Sequence, residues 1–372
     1  MQPKDPSDMK IKEVVSYLNS KYPLGYQESY DNSGFQLGDD TEDIKGALIA
    51  VDLTLEVIHE AIEKGCNLIV THHPFIFSGL KRITPQTYIG KMVYLLIKNN
   101  ISVYAAHTNL DNLMHGVNGI LSTKIGLENP TILRPMSGKL RKLVVYCPVD
   151  YANQVRSAMF QGGAGCIGNY DSCSFISEGT GTFRAGDGAH PFVGEMGKLH
   201  FEKEVRIEVV YPTVNERQII SLMKDAHPYE EPAYDCLDLA NPWNQVGAGM
   251  IGTLPTAMPT KEFLKKLKEV LNIPVVRHSE LCKDTVQSVA LCGGAGSFLI
   301  GDAKAQKADI YLTGDLKYHD FQQAENTIII ADIGHYESEQ YTKELIFLDM
   351  SEKFSNFAMQ ISTKSSGFVD YI

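Results

Sequence analysis

A chain of 372 residues exceeds what one hydrophobic core ordinarily serves, about 250 to 300 residues, so at least two cores are expected. With 44% hydrophobic and 21% charged residues, its composition excludes the disordered and fibrous classes. The formal charge of -11, with no run of clustered Lys and Arg, ranks nucleic acid low among partners, because neutralising a row of phosphates needs such a run.

In chain order, residues 9–22 predict a helix. Short β-branched runs follow at 47–53, 67–71 and 102–106, separated by helical patterns at 55–64 and 88–99 and followed by one at 117–125. Strands alternating with helices predict βαβ units and a largely parallel sheet. From 138 to 245 the order changes to strand 142–147, helix 152–160, strand 172–176, strand 205–210, helix 216–225 and strand 234–239. That β-α-β-β-α-β sequence is the ferredoxin-like pattern. The glycine-rich stretches 162–168 and 179–197 read as loops within it. Past Pro255 the first grammar returns: helix 261–271, strands 274–277 and 288–292, helix 298–306, strand 309–313, helix 318–324, strand 327–333, helix 338–354 and strand 358–362. The predicted architecture is therefore a discontinuous α/β outer domain with a mostly parallel sheet, residues 1–137 and 246–372, into which a ferredoxin-like α+β domain, residues 138–245, is inserted.

Ligands of open α/β sheets bind beyond the carboxyl ends of the strands. Here three strand ends run into Thr71-His72-His73-Pro74, His107-Thr108-Asn109-Leu110-Asp111 and Gly334-His335-Tyr336-Glu337-Ser338-Glu339, and a fourth into Gly314-Asp315 with His319 close behind. Four of the eleven histidines thus fall at three strand ends, on what the pattern predicts to be one edge of one sheet. Adjacent histidines leaving an extended strand point to opposite faces, so His72 and His73 serve two ions more easily than they chelate one. His335 and Glu339 stand one helical turn apart on one face.

This spacing predicts a divalent-metal site of two ions held by His72, His73, Asp111, His335 and Glu339. Imidazole with carboxylate suits zinc first, with iron, manganese, cobalt or nickel as alternatives. Asp111 also reads as a helix N-cap and His107 as a partner that orients a ligand. Two divalent ions against two carboxylates leave a positive surplus that welcomes an anionic ligand such as a phosphate ester. A water on such an ion, its pKa lowered to about 7, is a hydrolytic nucleophile at neutral pH.

Other motifs carry less. Cys292-Gly293-Gly294-Ala295-Gly296-Ser297 matches neither a P-loop nor a full dinucleotide fingerprint, and close helix–strand packing explains it as well as phosphate binding. The segment from His227 to Asp235 reads as a surface loop entering a strand, and His59, His115, His190, His200 and His278 lack ligand-type company. Seven scattered cysteines without C-x-x-C spacing predict free thiols. The polar start and the lack of a long apolar run predict no membrane partner and a cytoplasmic location. No G-x-S-x-G motif supports a serine hydrolase.

Asp31-Asn32-Ser33-Gly34, Thr71-His72-His73-Pro74, His107 to Asp111, Thr313-Gly314-Asp315 with His319, and Gly334 to Glu339 together resemble the Nif-three-like family, the GTP cyclohydrolase I type II homologues. The insert, with Gly179-Thr180-Gly181-Thr182-Phe183 and His227 to Pro232, is similar to the PII/CutA-like domain of the longer bacterial members. The resemblance implies two divalent metal ions on the five residues already named, a homohexameric ring and, through the family's name, metal-assisted opening of the guanine imidazole ring of GTP; for that chemistry His107 or His319 is the candidate proton carrier. The first functional reading is a dinuclear-metal hydrolase or cyclohydrolase acting on a nucleotide-like phosphorylated substrate. The alternatives are a metal carrier or sensor without turnover and an interaction scaffold.

Overall fold

The computed structural model describes residues 9–364 and 367–371; the polar start at 1–8 lies outside them. These residues divide into two compact units, one formed by the chain up to Pro135 and again from Asn244, the other by Met136–Trp243. Among the described residues no helix is long and apolar enough to cross a membrane. All seven cysteines are free.

In the outer unit, α1 (Ile11–Lys21) precedes β1 (Gly34–Leu37), β2 (Gly46–Ala50), α2 (Leu55–Glu63), β3 (Leu68–Thr71), α3 (Tyr88–Lys98), β4 (Ser102–Ala105), α4 (Thr108–Asp111), α5 (Val117–Ile125) and β5 (Glu128–Met136). Thr54 caps α2, its hydroxyl accepting from Val57 N at 3.2 Å, and α5 stops at Gly126, whose φ of 83° suits a residue without Cβ. The inserted unit contains β6 (Leu140–Pro148), α6 (Ala152–Gln161), β7 (Phe175–Arg184), β8 (Leu199–Pro212), α7 (Glu216–Ala226) and β9 (Tyr234–Asp238). The chain returns through β10 (Trp243–Pro259), α8 (Thr260–Val270), β11 (Arg277–His278), β12 (Thr285–Ala295), α9 (Ile300–Ala305), β13 (Ile310–Gly314), β14 (Ile329–Asp332), α10 (His335–Glu339), α11 (Thr342–Lys353) and β15 (Ala358–Ile361).

The outer unit holds two sheets rather than the single one expected. The first has the order β1-β4-β3-β2-β15 and the second β11-β14-β13-β12-β10-β5. The halves exchange strands: β15 pairs parallel with β2, whereas β5 joins the second sheet. Strands β2, β3 and β4 are buried along their whole length because both faces are covered. Ala47, Ile49, Leu68 and Val70 pack on one side with α1 and α11, while Leu48, Ala50, Ile69 and Val103 pack on the other with α2 and α3. The second sheet repeats the plan, with Val289, Leu291, Ile310 and Leu312 beneath α5 and α8, and Ala290, Tyr311 and Ile330 beneath α9. Each fully buried Val, Leu or Ile contributes about 1.5–3 kcal/mol of transfer free energy.

The inserted unit has the sheet order β7-β8-β6-β9, every pairing antiparallel, the ferredoxin-like arrangement. One face carries its core, where Leu143, Val145, Val205, Ile207 and Val209 meet Val155, Met159, Ile219 and Met223 of the two helices. Strand β7 runs through Gly179–Phe183, so part of the stretch read as loop is strand. The helix expected at 338–354 is split into α10 and α11, and the one expected at 318–324 is a single tight turn, Phe321–Ala324.

Candidate metal centre

The side chains that converge come from the carboxyl ends of strands in both sheets of the outer unit, not from one edge of one sheet. His72 and His73 follow β3, His107 immediately precedes α4 and Asp111 ends it beyond β4, and His335 and Glu339 span α10 beyond β14. The structure brings His72, His73, Asp111, His335 and Glu339 together. Ligand-type atoms lie within 4.8 Å of one another in three groups: His72 with Asp111 and Glu339, His73 with His335 and Glu339, and His72 with His73 and His107. His319 is exposed beside Tyr318, its ring 5.2 Å away, and is in none of these groups.

Glu339 is the hub. It is 3% exposed, and its two oxygens face different partners. Oε1 lies 3.6 Å from His72 Nε2, whereas Oε2 lies 2.9 Å from His73 Nε2 and 3.2 Å from His335 Nε2. His72 Nε2 is also 3.6 Å from Asp111 Oδ1, and the Nε2 atoms of His73 and His335 are 3.3 Å apart. His72 Nε2 and Asp111 Oδ1, 3.6 Å apart, are both buried without a hydrogen-bond partner. Buried polar atoms left unpaired are costly, and two that face each other fit a cation that would satisfy them together.

The backbone is shaped for this convergence. A Cβ at Gly294, where φ is 62°, would come within 2.3 Å of Glu339 Oε1, and Gly294 N donates to Ser338 Oγ at 2.9 Å. The glycine run after Cys292 therefore makes room for α10, as the packing reading expects. Gly334, at φ 86°, turns the chain from β14 into His335.

All four imidazoles are held at Nδ1. His72 bonds Ala106 O, His73 bonds Asp52, His107 bonds Asp31 and His335 bonds Asp315, each at 2.7 Å. In the neutral ring an acceptor at Nδ1 fixes the tautomer whose Nε2 lone pair faces the cluster. Asp31 and Asp315 stand in the sequence motifs. Asp52 carried no signal beyond its position two residues after β2, the same strand-end placement that marks the others. Asp315 holds φ at 57°, a left-handed conformation that Asp tolerates better than most residues. Asp31 also accepts from Thr108 N at 3.0 Å and Ser33 Oγ at 2.8 Å. Burial pushes its carboxyl up, but the hydrogen bonds from His107, Thr108 and Ser33 prevail and hold it well below the usual range.

Charge in the cluster is strongly shared. Burial lowers His73, yet the hydrogen bonds to Asp52 and Glu339 raise it to about 10. His335 is lifted against burial to about 9 by Glu339 and Asp315. Burial raises Asp111 and the neighbouring Glu339 carboxylate adds to this, whereas the imidazoles drive Glu339 far down despite its burial. Without a cation, this constellation retains protons that a metal ion has to displace.

Two cavities flank the cluster. One of about 620 Å³ is bordered by His73, His107, His335, Phe77, Tyr336 and Arg277, and one of about 240 Å³ by Asp111, Glu339, Tyr30 and Cys292. His107 and His335 border both.

The family model of Duf34/NIF3 (NGG1p interacting factor 3) matches residues 9–367. A Bacillus subtilis (strain 168) protein called GTP cyclohydrolase 1 type 2 homolog is 40% identical over 335 residues, covering 90% of each chain. Among solved structures, a Bacillus cereus protein related to NIF3 superimposes with a TM-score of 0.86 at 37% identity, covering 98% of this chain and 100% of the other. A Staphylococcus aureus protein gives a TM-score of 0.77 at 30% identity over 98% and 99%. With its sequence matched over residues 9–367 and its architecture shared, this chain belongs to the Duf34/NIF3 family.

Proposed function

We propose that the cluster holds two divalent transition-metal ions, one through His72, Asp111 and Glu339 and the other through His73, His335 and Glu339, and that the site hydrolyses a nucleotide-like phosphorylated substrate in the manner of a GTP cyclohydrolase. The observation that carries this reading is the division of Glu339, one oxygen toward each group of ligands. Imidazole and carboxylate donors favour zinc, then iron, manganese, cobalt or nickel. Such ions supply Lewis acidity and a water acidified to about pKa 7.

The chain's own residues have separable tasks. Asp52 and Asp315 aim the His73 and His335 lone pairs. His107, held by Asp31 and with its ring centroid 5.4 Å from that of His72 and 5.5 Å from that of His73, carries the proton between solvent and substrate. The larger cavity is in the size range of small-molecule sites. Arg277 on its wall supplies positive charge for a phosphate, although it is also paired with Asp332, and Phe77 and Tyr336 offer faces for a base. The name of the Bacillus subtilis relative supports the same substrate class. A homohexameric ring and a PII/CutA-like role for the insert go with this reading, and the mass of the assembly in solution tests the first.

The decisive test is elemental analysis of the purified protein combined with GTP turnover before chelation, after it, and after return of a single metal. Turnover that vanishes and returns supports the proposal, with His107→Ala slowing it by about 100-fold or more. Metal binding without turnover of any nucleotide would overturn the catalytic part and leave the carrier reading.

A further inference from the structure

The inserted unit has a cavity of its own, about 580 Å³, formed by β7, β8 and the segments around residues 189–192 and 229–233. Its volume is that of a small-molecule site, and the function proposed above makes no use of it. Its walls are aromatic. The ring of Tyr229 lies 6.0 Å from that of Phe183 and 6.3 Å from that of Phe192. The charge beside them is negative: Glu178, Glu204, Glu230 and Glu231 line the cavity against a single guanidinium, Arg206, which is already paired with Glu208 at 2.9 Å.

One contact holds Glu204 and one absence makes room for it. Tyr229 donates its hydroxyl to Glu204 Oε1 at 2.9 Å. Across the strand pair, a Cβ at Gly181 would come within 2.1 Å of Glu204 Oε2, so only a residue without a side chain leaves the carboxylate where it is. The Gly179 to Phe183 segment thus supplies both the room for the acid and one of the rings.

Electrostatics and geometry narrow the occupant. A phosphate or other anion would face four carboxylates. A bare metal ion needs donors that converge, and among the described residues every group close enough to hold one lies in the outer unit. Aromatic faces next to a carboxylate suit a weakly hydrated organic cation, attracted to the ring quadrupoles and neutralised by the acid. We propose that the cavity of the inserted unit binds a small organic ammonium ion, its charged group lying between the rings of Phe183, Phe192 and Tyr229 and the carboxylate of Glu204. The inference stands independently of the metal centre.

Isothermal titration calorimetry of the full-length protein at constant ionic strength tests it, with choline and tetramethylammonium as probes. The control ligand is the uncharged carbon analogue of choline, in which a tert-butyl group replaces the trimethylammonium. At least one ammonium probe is expected to bind, with the carbon analogue at least about tenfold weaker. Glu204→Gln and Phe183→Leu are each expected to weaken binding by about tenfold, and His335→Ala to leave it unchanged. Absence of binding by both ammonium probes up to about 10 mM would overturn the proposal, as would equal binding of the carbon analogue. Unchanged affinity in Glu204→Gln and Phe183→Leu proteins that melt like the wild type would also overturn it. If either substitution prevents folding, the comparison of charged and uncharged ligands on the unaltered protein decides alone.

Discussion

The outer and inserted units both gather carboxylates around a cavity, but they treat them differently. In the outer unit Glu339 is buried, surrounded by imidazoles whose outer nitrogens are fixed, and leaves polar atoms without partners. In the inserted unit Glu204 is half-buried, takes a hydrogen bond from Tyr229 and sits among rings. The first arrangement keeps its buried carboxylate balanced by protons on the surrounding imidazoles and still leaves His72 Nε2 and Asp111 Oδ1 unpaired, so it suits a bare cation that can displace those protons. The second is satisfied while empty, and gains only from a cation that keeps little water around itself.

The largest effect that would break this contrast comes from Glu339→Gln. On the two-ion reading proposed above, losing the shared carboxylate is expected to weaken both positions by more than about 100-fold, so elemental analysis should find this variant nearly metal-free while the wild type carries metal. Metal binding to the wild type should release protons near neutral pH, because His73 and His335 titrate at about 10 and 9 in the metal-free cluster. Affinity should therefore rise with pH through neutrality and level off above about 9 to 10. Calorimetry in two buffers of different ionisation enthalpy measures that release.

Ile219→Ala tests the other unit. Ile219 is fully buried beneath the inserted sheet, and its truncation should cost about 3 kcal/mol in denaturant unfolding while leaving the metal content intact. Asp52→Asn is smaller and sharper. It keeps the shape of the His73 partner but removes its charge, and should lower metal affinity by about 10- to 100-fold with little change in fold by circular dichroism.

The smallest effect concerns acid. Burial raises the Glu60 carboxyl, but hydrogen bonds from Lys64, Ser362 and Thr363 bring it down to about 2. A carboxylate depressed in the folded state stabilises above its ordinary pKa, so this contribution should be full above about pH 4.5 and fade as the pH falls toward 2, by about 1–2 kcal/mol. Glu60→Gln should flatten that limb of the pH–stability curve.

The sequence made the central strands legible because strands covered on both faces read as uninterrupted apolar runs. β2, β3, β13 and β14 are of this kind. β1 was missed because Gly34–Leu37 is a half-buried edge of mixed character, and β10 because Gly247, Gly249, Gly252, Pro255 and Pro259 imitate loop composition. Two sheets looked like one because both obey the same local grammar, and the strand exchange by β5 and β15 leaves no local signature. At the site, residue types and their strand-end positions singled out the converging side chains. Asp52 stayed hidden because a lone Asp after a strand has no distinguishing company, and His319, singled out by its place after β13, is exposed and in none of the ligand groups.

The donors of the cluster are split by more than two hundred positions of chain, with His72 and Asp111 encoded before the insert and His335 and Glu339 after it. During synthesis the early half therefore emerges with imidazoles that have no carboxylate hub, and its first sheet lacks the β15 edge until the ribosome has nearly finished. On the metal reading proposed above, capture is thereby tied to completion of translation: a nascent or terminated chain that stops short of Glu339 lacks at least one donor of each proposed ion position, and loading would report that the donors on both sides of the insert have been made and brought together.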